Sequence, residues 1–446
     1  MKFEIDEQTI TDLDIYNEDV NAKSIAGLFC GTKSFVGRNK VYELLGTPLA
    51  DYDELKERSE AIKFFFDHEW FNLQLDTDVL SFVEYYQKQR RNSMEPIFST
   101  VFLRRVYDKL NQEAQYFLMA EGVRSTVEVL RWVNDFMQRI NQLDEKDIPS
   151  KLLEQSKRIK ELFAKNGYDK LVRKKKIGKY IAVGKLDYKF RIPERRDILF
   201  CLDLVSQYDA FSTIARVTKE NGFTFANLHR AEDSRIEIEG LFHPLLENPI
   251  SNDFSIDRKA NVLFLSGPNM AGKSTLLKSL AVATFLAHAG FPVPASKMNI
   301  SILSGLCAAI NIADDLSSGY SHFYAEVMSV KQVAEKLKKH KNMLVIFDEL
   351  FRGTNVKDAY DGTSAVIRSF SKVREAFFVM STHIVEVADE LKDLDNIKFG
   401  YMNIDRKNGH PSYTYKLKEG ISKDRLGMYI IEQEGVIDLI DEISKE

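Results

Sequence analysis

The chain has 446 residues, of which 29% are charged and 44% hydrophobic, and its formal net charge is −4. This length predicts two or three domains with at least one sizeable core, which excludes a peptide or a fibre. Its 22 glycines and 10 prolines are few for this length and exclude a disordered chain, and no run reaches the ~18 uncharged apolar residues of a membrane span.

The cysteines and the first residues indicate the cellular compartment. Cys30, Cys201 and Cys307 are too far apart for a Cys-x-x-Cys site and too few for a disulfide framework. Residues 1–7 contain no apolar signal core. We therefore expect buried thiols in a protein of the reducing cytoplasm that does not enter a membrane.

The first half of the sequence has the periodicity of long helices. Residues 97–143 contain no proline and one glycine, Gly122, and apolar residues recur there at spacings of three and four. A second helical run covers residues 198–219. We predict a mostly α-helical domain over residues 1–235.

Basic residues are concentrated in one part of this helical region. Residues 151–196 contain 16 Lys or Arg and 5 Asp or Glu, which gives a local charge of +11. The densest run consists of Arg173, Lys174, Lys175 and Lys176, followed by Lys179. This composition is typical of a surface that binds a polyanion, most simply a nucleic-acid backbone, but also of an ordinary solvated helix face or loop.

The second half of the sequence alternates strands and helices. Short β-type runs, separated by helical patterns, lie at 236–238, 261–265, 343–347 and 376–380. This alternation is typical of a parallel sheet with crossover helices. Two further β-type runs flank Asn408-Gly409 and predict an antiparallel hairpin. We predict an α/β domain over residues 236–446.

The most specific motif of the sequence is a complete G-x-x-x-x-G-K-[ST] phosphate loop between an apolar strand and a helical run. Backbone N–H groups of such a loop cradle phosphates, while Lys273 would reach the β- and γ-phosphates and the Ser274 hydroxyl would bind Mg²⁺. The predicted nucleotide-binding residues are Gly267, Pro268, Asn269, Met270, Ala271, Gly272, Lys273, Ser274 and Thr275. The sequence therefore predicts a P-loop NTPase domain.

Two later strands carry candidate catalytic groups at their ends. The apolar run 344–347 leads into Asp348, a candidate for the Mg²⁺ shell, and Glu349, which would orient or deprotonate the attacking water. The next strand leads into His383, which would lie at the ligand edge of the sheet as a γ-phosphate sensor. Solvated strand ends and a structural histidine are the alternatives.

Ser321 precedes an amphipathic helical run at 325–338. It would be an ordinary N-cap, or it would present a hydroxyl to a phosphate at the positive end of the helix. In ATPases of the ABC type that phosphate belongs to the opposite subunit. The functional interpretation of Ser321 is therefore a contact in trans.

These motifs, in this order, resemble those of the MutS family of DNA mismatch repair ATPases. The resemblance rests on the phosphate loop, on Asp348-Glu349-Leu350-Phe351-Arg352-Gly353-Thr354, on Asp361-Gly362-Thr363 and on Ser381-Thr382-His383. Residues 6–13, 32–38 and 48–49 are similar to the opening of the family's core or lever domain. The resemblance thus covers nearly the whole chain and is most convincing from Gly240 onward.

The sequence also departs from the family pattern. Ala271 and Phe351 stand where glycine is usual, and His322 stands where threonine is common, but none of these departures removes a phosphate or metal ligand. The Phe-x-Glu triplet at Phe82 lies in a helical pattern and is interpreted as core, not as the family's mismatch wedge. Because the sequence opens at the lever domain, we expect a short form without the N-terminal mismatch-binding and connector domains.

The resemblance implies an ABC-type ATPase domain preceded by a helical lever. It implies ATP and Mg²⁺ as cofactors, a homodimer, a possible MutL-type downstream partner, and action as an ATP-gated clamp on mismatched or distorted double-stranded DNA in repair. Recognition of branched or structured nucleic acid without mismatch reading is the alternative. An ATPase subunit of a transporter is a third hypothesis, which the basic segment disfavours.

The resemblance also implies how the base of the nucleotide is held. His243-Pro244 and Asn252-Asp253 are similar to the family's segment that approaches the adenine, and Tyr415 aligns with a position that stacks on the ring. Simple packing is the alternative for each of them. Residues 419–423 match the motif that precedes a C-terminal helix of the dimer contact.

Overall fold

The computed structural model describes residues 2–17, 23–68, 76–89, 113–178, 180–310, 322–407, 410–422 and 435–443. The chain folds into two compact units. The α/β unit consists of Met1–Ile25, Thr47–Leu55 and Asn221–Glu446, and the helical unit consists of Ala26–Gly46 and Lys56–Glu220. The chain of the α/β unit is thus interrupted twice by segments of the helical unit.

Helices are the most abundant element of the described part of the chain. The helices are α1 (Glu7–Asp12), α2 (Ile25–Phe29), α3 (Phe35–Leu45), α4 (Tyr52–Asp67), α5 (Thr77–Lys88), α6 (Glu113–Ile140), α7 (Ser150–Asn166), α8 (Tyr168–Val172), α9 (Tyr180–Arg191), α10 (Arg195–Asn221), α11 (Lys273–Ala289), α12 (His322–Lys339), α13 (Val356–Phe370), α14 (Val387–Leu391) and α15 (Val436–Ile443). The helical run predicted at 198–219 is confirmed by α10, and that at 97–143 is confirmed by α6 for the part that the structure describes.

The core of the helical unit is aromatic. Phe136 stacks on Tyr208 with ring centroids 4.3 Å apart and on Trp132 at 5.2 Å. Phe65 contacts Tyr208 at 5.4 Å and Phe211 at 5.7 Å. These residues join α4, α6 and α10, so the helical periodicity of the sequence does predict the faces that pack together.

Helix α10 carries a buried carboxylate as well as this aromatic face. Asp209 is 1% exposed and accepts hydrogen bonds from the hydroxyl and the backbone N–H of Ser34 and from Lys33 N at 3.2 Å. These bonds offset the cost of burying a charge and fix the N-terminus of α3, where a Cβ on Gly37 would lie 2.2 Å from the Asp209 carboxylate.

Among the described helices, α10 alone is long and apolar enough to cross a membrane, but 78% of its apolar window is buried inside the protein. This is the burial of a core helix.

The cysteines are free thiols, as expected. Cys201 and Cys307 are buried, and burial raises the pKa of each thiol to about 12. Cys30 is half-buried. The expectation of buried thiols is therefore confirmed for two of the three.

The α/β unit contains two sheets. Their strands are β1 (Asn227–His229), β2 (Arg235–Leu241), β3 (Asn252–Asp257), β4 (Val262–Ser266), β5 (Lys297–Ser301), β6 (Gly305–Ala309), β7 (Met343–Asp348), β8 (Phe377–Ser381), β9 (Ile397–Lys407) and β10 (His410–Glu419). The six-stranded sheet has the order β10-β9-β4-β8-β7-β6 and is parallel except for the β9–β10 hairpin. The four-stranded sheet has the order β1-β5-β2-β3.

The central strands of the larger sheet are β4, β8 and β7, and they are buried along their whole length. Helices α12 and α13 contribute Val333, Leu337, Ile367 and Phe370 to the core on these strands. Strands buried on both faces read as continuous apolar runs, which is why the sequence predicts them. The hairpin predicted around Asn408-Gly409 is also confirmed in its strands, while those two residues lie outside the described ranges.

The prediction for residues 236–238 is wrong in one respect. They form part of β2, which is antiparallel to β3 and β5 in the smaller sheet and does not join the parallel one. The reason is visible in the alternation of buried Ile236 and Ile238 with exposed Glu237 and Glu239. A strand with one solvated face belongs in an antiparallel sheet.

The N-terminal segment, residues 2–12, belongs to the α/β unit, whereas the sequence analysis assigns it to a helical domain ending at 235. Glu4 N donates to Ser304 O at 2.9 Å, and the Thr9 hydroxyl accepts from Ala308 N at 3.0 Å. Asp12 accepts from Ile310 N at 3.0 Å. These bonds attach the segment along β6, so contacts distant in sequence determine its place.

Candidate nucleotide-binding site

The phosphate loop connects β4 to α11 through a left-handed backbone. Gly267 has φ 138°, Met270 has φ 66° and Gly272 has φ 98°. Gly272 is the N-cap of α11 and has no side chain with which to cap the helix. The first-turn N–H groups of α11 are therefore available to an anion, and the positive end of the helix dipole lies at the same place.

Lys273 folds back over this loop. Its side chain is 4% exposed, and its Nζ donates to Gly267 O at 2.8 Å and to Pro268 O at 3.1 Å. Nζ also lies 3.7 Å from the Glu349 carboxylate. Burial lowers the pKa of Lys273, and the charges of Glu349 and Asp348 oppose this shift.

The predicted carboxylates lie where β7 ends beside β8. Asp348 is 9% exposed and accepts a hydrogen bond from the Ser381 hydroxyl. Glu349 N donates to Ser381 O and to the Ser381 hydroxyl, each at 3.1 Å. Glu349 has φ 58°, a strained backbone for a residue with a side chain. Ser381 thus fixes both acidic residues at the carboxyl edge of the sheet.

Loop and carboxylates line one cavity of about 400 Å³. Its walls include the pair Lys273 and Ser274 and the pair Asp348 and Glu349, and the two pairs are more than 70 positions apart in the sequence. The Ser274 hydroxyl and the Asp348 carboxylate supply oxygen donors of the kind that Mg²⁺ prefers when phosphates complete its shell. In the described ranges there is no cluster of three or more His, Cys, Asp or Glu residues able to hold a metal. The donor set therefore fits a Mg²⁺ ion that arrives with a nucleotide.

A second, mostly apolar cavity of about 280 Å³ adjoins the first and shares Gly272, Thr275 and Tyr415 with it. Leu241, Leu246, Pro249, Ile250 and Met402 give its apolar surface, and His243 and Asn252 are among its polar residues. An apolar pocket with few polar groups, next to a phosphate loop, suits a planar base.

Asn252 and His243 have distinct roles in this second cavity. The Asn252 amide donates to Tyr415 O at 3.0 Å and accepts from Leu417 N at 2.7 Å. It thereby holds a bulge of β10 in which Tyr415 has φ 55° and is 44% exposed. Burial lowers the pKa of His243, with a smaller effect of Lys278 in the same direction, and this favours the neutral ring.

The other predicted residues lie elsewhere. His383 follows β8 at the carboxyl edge of the sheet and is exposed, but it is outside the linings of both cavities. Ser321 lies outside the described ranges, and α12 begins at the next residue. The roles of both residues stay predictions.

The basic run lies on the surface of the helical unit. Arg173, Lys174, Lys175 and Lys176 follow α8 and are exposed, whereas Lys179 lies outside the described ranges. Arg131 on α6 donates to Val172 O at 3.1 Å and to Lys174 O at 2.5 Å. These two bonds attach the backbone at the start of the run to α6.

Two features of the site were not predicted from the sequence. Glu326 on α12 is 6% exposed and accepts from Arg352 N at 3.1 Å and Gly353 N at 3.5 Å. A signal existed, because Glu326 is three residues from Phe323 and four from Val330 on the apolar face of α12. Phe351 stands at a position where the family has glycine. It has φ 63° and is buried against Phe323. The glycine pattern is thus explained by a left-handed backbone.

Comparison with known proteins agrees with this geometry. The family model for MutS domain V matches residues 263–445. The DNA mismatch repair protein MutS of Listeria monocytogenes serotype 4a (strain HCC23) is 29% identical over 234 residues, 51% of this chain and 27% of that protein. The MutS protein of Shouchella clausii is 30% identical over 241 residues, 52% of this chain and 27% of that protein.

The chain matches only about a quarter of the length of these relatives, 27% in both cases. The match nevertheless includes the features that form the site. Residues 263–445 contain the phosphate loop, Asp348, Glu349 and the β9–β10 hairpin, in a P-loop ATPase-type domain. Residues 263–445 therefore form a domain of the MutS type, similar to MutS domain V.

Proposed function

We propose that this protein is a Mg²⁺-dependent ATPase that uses ATP binding to control its grip on DNA. The observation that carries the proposal is the single cavity in which Lys273, Ser274, Asp348 and Glu349 meet. Phosphate-binding, metal-binding and water-orienting groups at one sheet edge are the parts that phosphoryl transfer requires.

The chemistry divides among these residues. Lys273 would leave the carbonyls of Gly267 and Pro268 and bind the β- and γ-phosphates. Its ammonium group would then donate to charged phosphate oxygens instead of two neutral carbonyl oxygens. Ser274 and Asp348 would hold Mg²⁺, which neutralises charge on the phosphates when bound. Glu349, released from Lys273, would orient the attacking water, and His383 would sense the γ-phosphate.

The second cavity supports adenine as the base. Tyr415 lines both cavities and offers an aromatic face, and burial of His243 favours its neutral form. The apolar wall would bury the base, as ligand pockets of this kind do. ATP, with its triphosphate on the loop, is therefore the proposed substrate.

A homodimer is proposed because α15 carries an exposed apolar face. Val436, Ile437, Leu439, Ile440 and Ile443 are between 41% and 72% exposed. Exposed apolar clusters of this kind mark protein interfaces. In the dimer, Ser321 would reach the nucleotide of the opposite subunit and complete two composite sites.

The helical unit is proposed to be the lever that grips DNA. Its exposed run Arg173–Lys176 suits a phosphate backbone, and the relatives are DNA mismatch repair proteins by name. The proposed role is that of an ATP-gated clamp on mismatched or distorted DNA in repair, in the cytoplasm, with a MutL-type partner downstream. The same surface suits branched nucleic acid, since backbone phosphates are common to both.

Two variants test the site. Lys273→Ala should abolish tight ATP binding, because the phosphates lose their cation. Glu349→Gln should retain ATP binding while turnover falls by at least ~100-fold, because orienting water and binding phosphate are separable effects. Filter binding of labelled ATP and steady-state hydrolysis measure the two properties.

The exposed Glu375 provides the matched control, since Glu375→Gln makes the same change at a residue outside the linings of both cavities. Its ATP binding and turnover should equal those of the wild type. Unimpaired turnover in Glu349→Gln would remove Glu349 as the catalytic carboxylate. Absence of hydrolysis in the wild type, with and without DNA, would contradict the proposed function itself.

A further inference from the structure

Glu326 is a buried carboxylate that accepts hydrogen bonds from backbone N–H groups. It is 6% exposed, and its two oxygens accept from Arg352 N at 3.1 Å and Gly353 N at 3.5 Å. Burying a carboxylate is costly unless hydrogen bonds compensate it, and charge-assisted bonds to amides are strong. Glu326 therefore acts on the loop that directly follows Glu349.

This loop is held in an unfavourable conformation. Glu349 has φ 58° and Phe351 has φ 63°, and neither is glycine. Left-handed backbone at such residues persists only where the surroundings determine it. Ser381 holds the start of the loop through Glu349 N, and Glu326 holds its far end through Arg352 and Gly353.

The same loop contacts the first turn of α12. A Cβ on Gly353 would lie 2.6 Å from His322 Cβ and 2.6 Å from Phe323 N. Phe323 also packs on Phe351 with ring centroids 5.6 Å apart. A shift of the start of α12 would therefore move the loop, because Gly353 is already packed tightly against His322 and Phe323.

We propose that Glu326 is a positioning residue for Glu349, and that it couples the start of α12 to the geometry of the water-orienting carboxylate. This inference rests on the proposed function, in which Glu349 orients the attacking water. Since α12 begins directly after position 321, events at the start of the helix would reach the carboxylate of the same chain.

The test uses Glu326→Ala and Glu326→Gln in the full chain. We expect Glu326→Ala to lower kcat for ATP hydrolysis by ~10- to 100-fold, since small misplacements of a catalytic group have effects of this size. The Kd for ATP should change by less than about twofold, because Lys273 and the phosphate loop are untouched. Glu326→Gln retains one oxygen acceptor and should recover part of the lost kcat.

The exposed Glu335 on the same helix gives the control, and Glu335→Ala should have the kcat of the wild type. A double-mutant cycle with Glu349→Gln distinguishes a positioning role from a merely structural one. A structural role of Glu326 would lower kcat equally with and without the Glu349 carboxylate. If Glu326 acts through Glu349, then Glu326→Ala should lower kcat by less than about twofold in the Glu349→Gln background.

The outcomes distinguish the possibilities. An equal loss of kcat in both backgrounds would overturn the positioning role, as would a loss of ATP affinity parallel to the loss of kcat. Unchanged kcat in both Glu326 variants would overturn it as well, while the proposed function would stand. A wild type without ATP hydrolysis would overturn both.

Discussion

His288 is a fully buried histidine at the C-terminal end of α11. Its Nδ1 lies 2.8 Å from Leu49 O, and its Nε2 accepts from Leu303 N at 3.3 Å. The ring also stacks on Phe3 at 4.3 Å. Burial lowers the pKa of His288 to about 4, so the neutral ring connects three chain segments of the α/β unit.

This burial predicts how stability depends on pH. Because the unfolded chain has the ordinary histidine pKa of about 6.5, it binds more protons than the folded protein below that pH. The stabilisation of the fold by the neutral His288 is fully present above pH 6.5 and is lost as the pH falls toward 4. At pH 4 the free energy of unfolding is lower by about 3 kcal/mol than above pH 6.5 on account of this residue. Urea unfolding at pH 7.5 and pH 5 measures this change in the free energy of unfolding.

His288→Gln should flatten the pH dependence between these two values, although the variant will be less stable throughout. His383→Gln, at an exposed histidine, is the control and should keep the pH dependence of the wild type. The same slope in the wild type and in His288→Gln would show that another group is responsible.

At the residue scale, the sequence predicts groups whose place follows from local motifs. Lys273 and Ser274 begin a helix after a phosphate loop, and Asp348 ends a buried strand, so the rules of parallel sheets bring them together. Glu326 and the backbone of Phe351 could not be placed in this way. Their burial and their positive φ depend on how α12 packs against a distant loop.

At the element scale, the basic run after α8 leads to a prediction about DNA. We expect binding that weakens steeply with salt, because Lys and Arg displace counterions from phosphates. Neutralising Arg173, Lys174, Lys175 and Lys176 to Gln should flatten the slope of log K against log salt by about 0.9 per lost phosphate contact. Titrations at several salt concentrations measure this slope.

The four exposed lysines Lys338, Lys339, Lys357 and Lys392 give a control, since changing them to Gln removes the same charge from the α/β unit. Their loss should leave the slope nearly unchanged. Comparison of homoduplex, mismatched duplex, four-way junction and RNA would identify the preferred nucleic acid. An unchanged slope in the first variant would place the DNA elsewhere on the protein.

The elements also show where pattern reading succeeds. The continuous apolar runs of β4, β7 and β8 are predicted correctly, because both faces of those strands are buried. β2 is assigned to the wrong sheet, because a run of three residues is too short to show its alternation. The register of each sheet depends on which strands pair, and the sequence of a single strand does not determine its neighbours.

At the scale of the whole molecule, the proposed dimer can be tested by mixing variants. Mixed dimers of Ser321→Ala and Lys273→Ala would contain one intact composite site and one doubly damaged site. Random mixing should restore up to about a quarter of wild-type ATPase activity, since about half of the dimers are mixed and each has one good site. Each variant alone, at the same total concentration, is the control.

A contribution of Ser321 within its own chain predicts the opposite result. Each chain of the mixed dimer would then carry its own damaged site, and mixing would restore nothing. If Ser321 is only a helix cap, its replacement should cost ~1 kcal/mol of stability and leave the Ser321→Ala protein active by itself.

The place of the N-terminal segment has a consequence for how the protein is made. Thr9 and its partner Ala308 are 299 residues apart. At ~5 to 20 residues per second, the ribosome adds Ala308 about 15 to 60 s after Thr9. The helical unit leaves the ribosome in that interval and can fold first. Until His288 is also synthesised, the Phe3 side chain lacks the ring on which it stacks in the folded protein. The opening residues are therefore translated early but folded late, and during synthesis they are a natural target for chaperones that bind exposed apolar side chains.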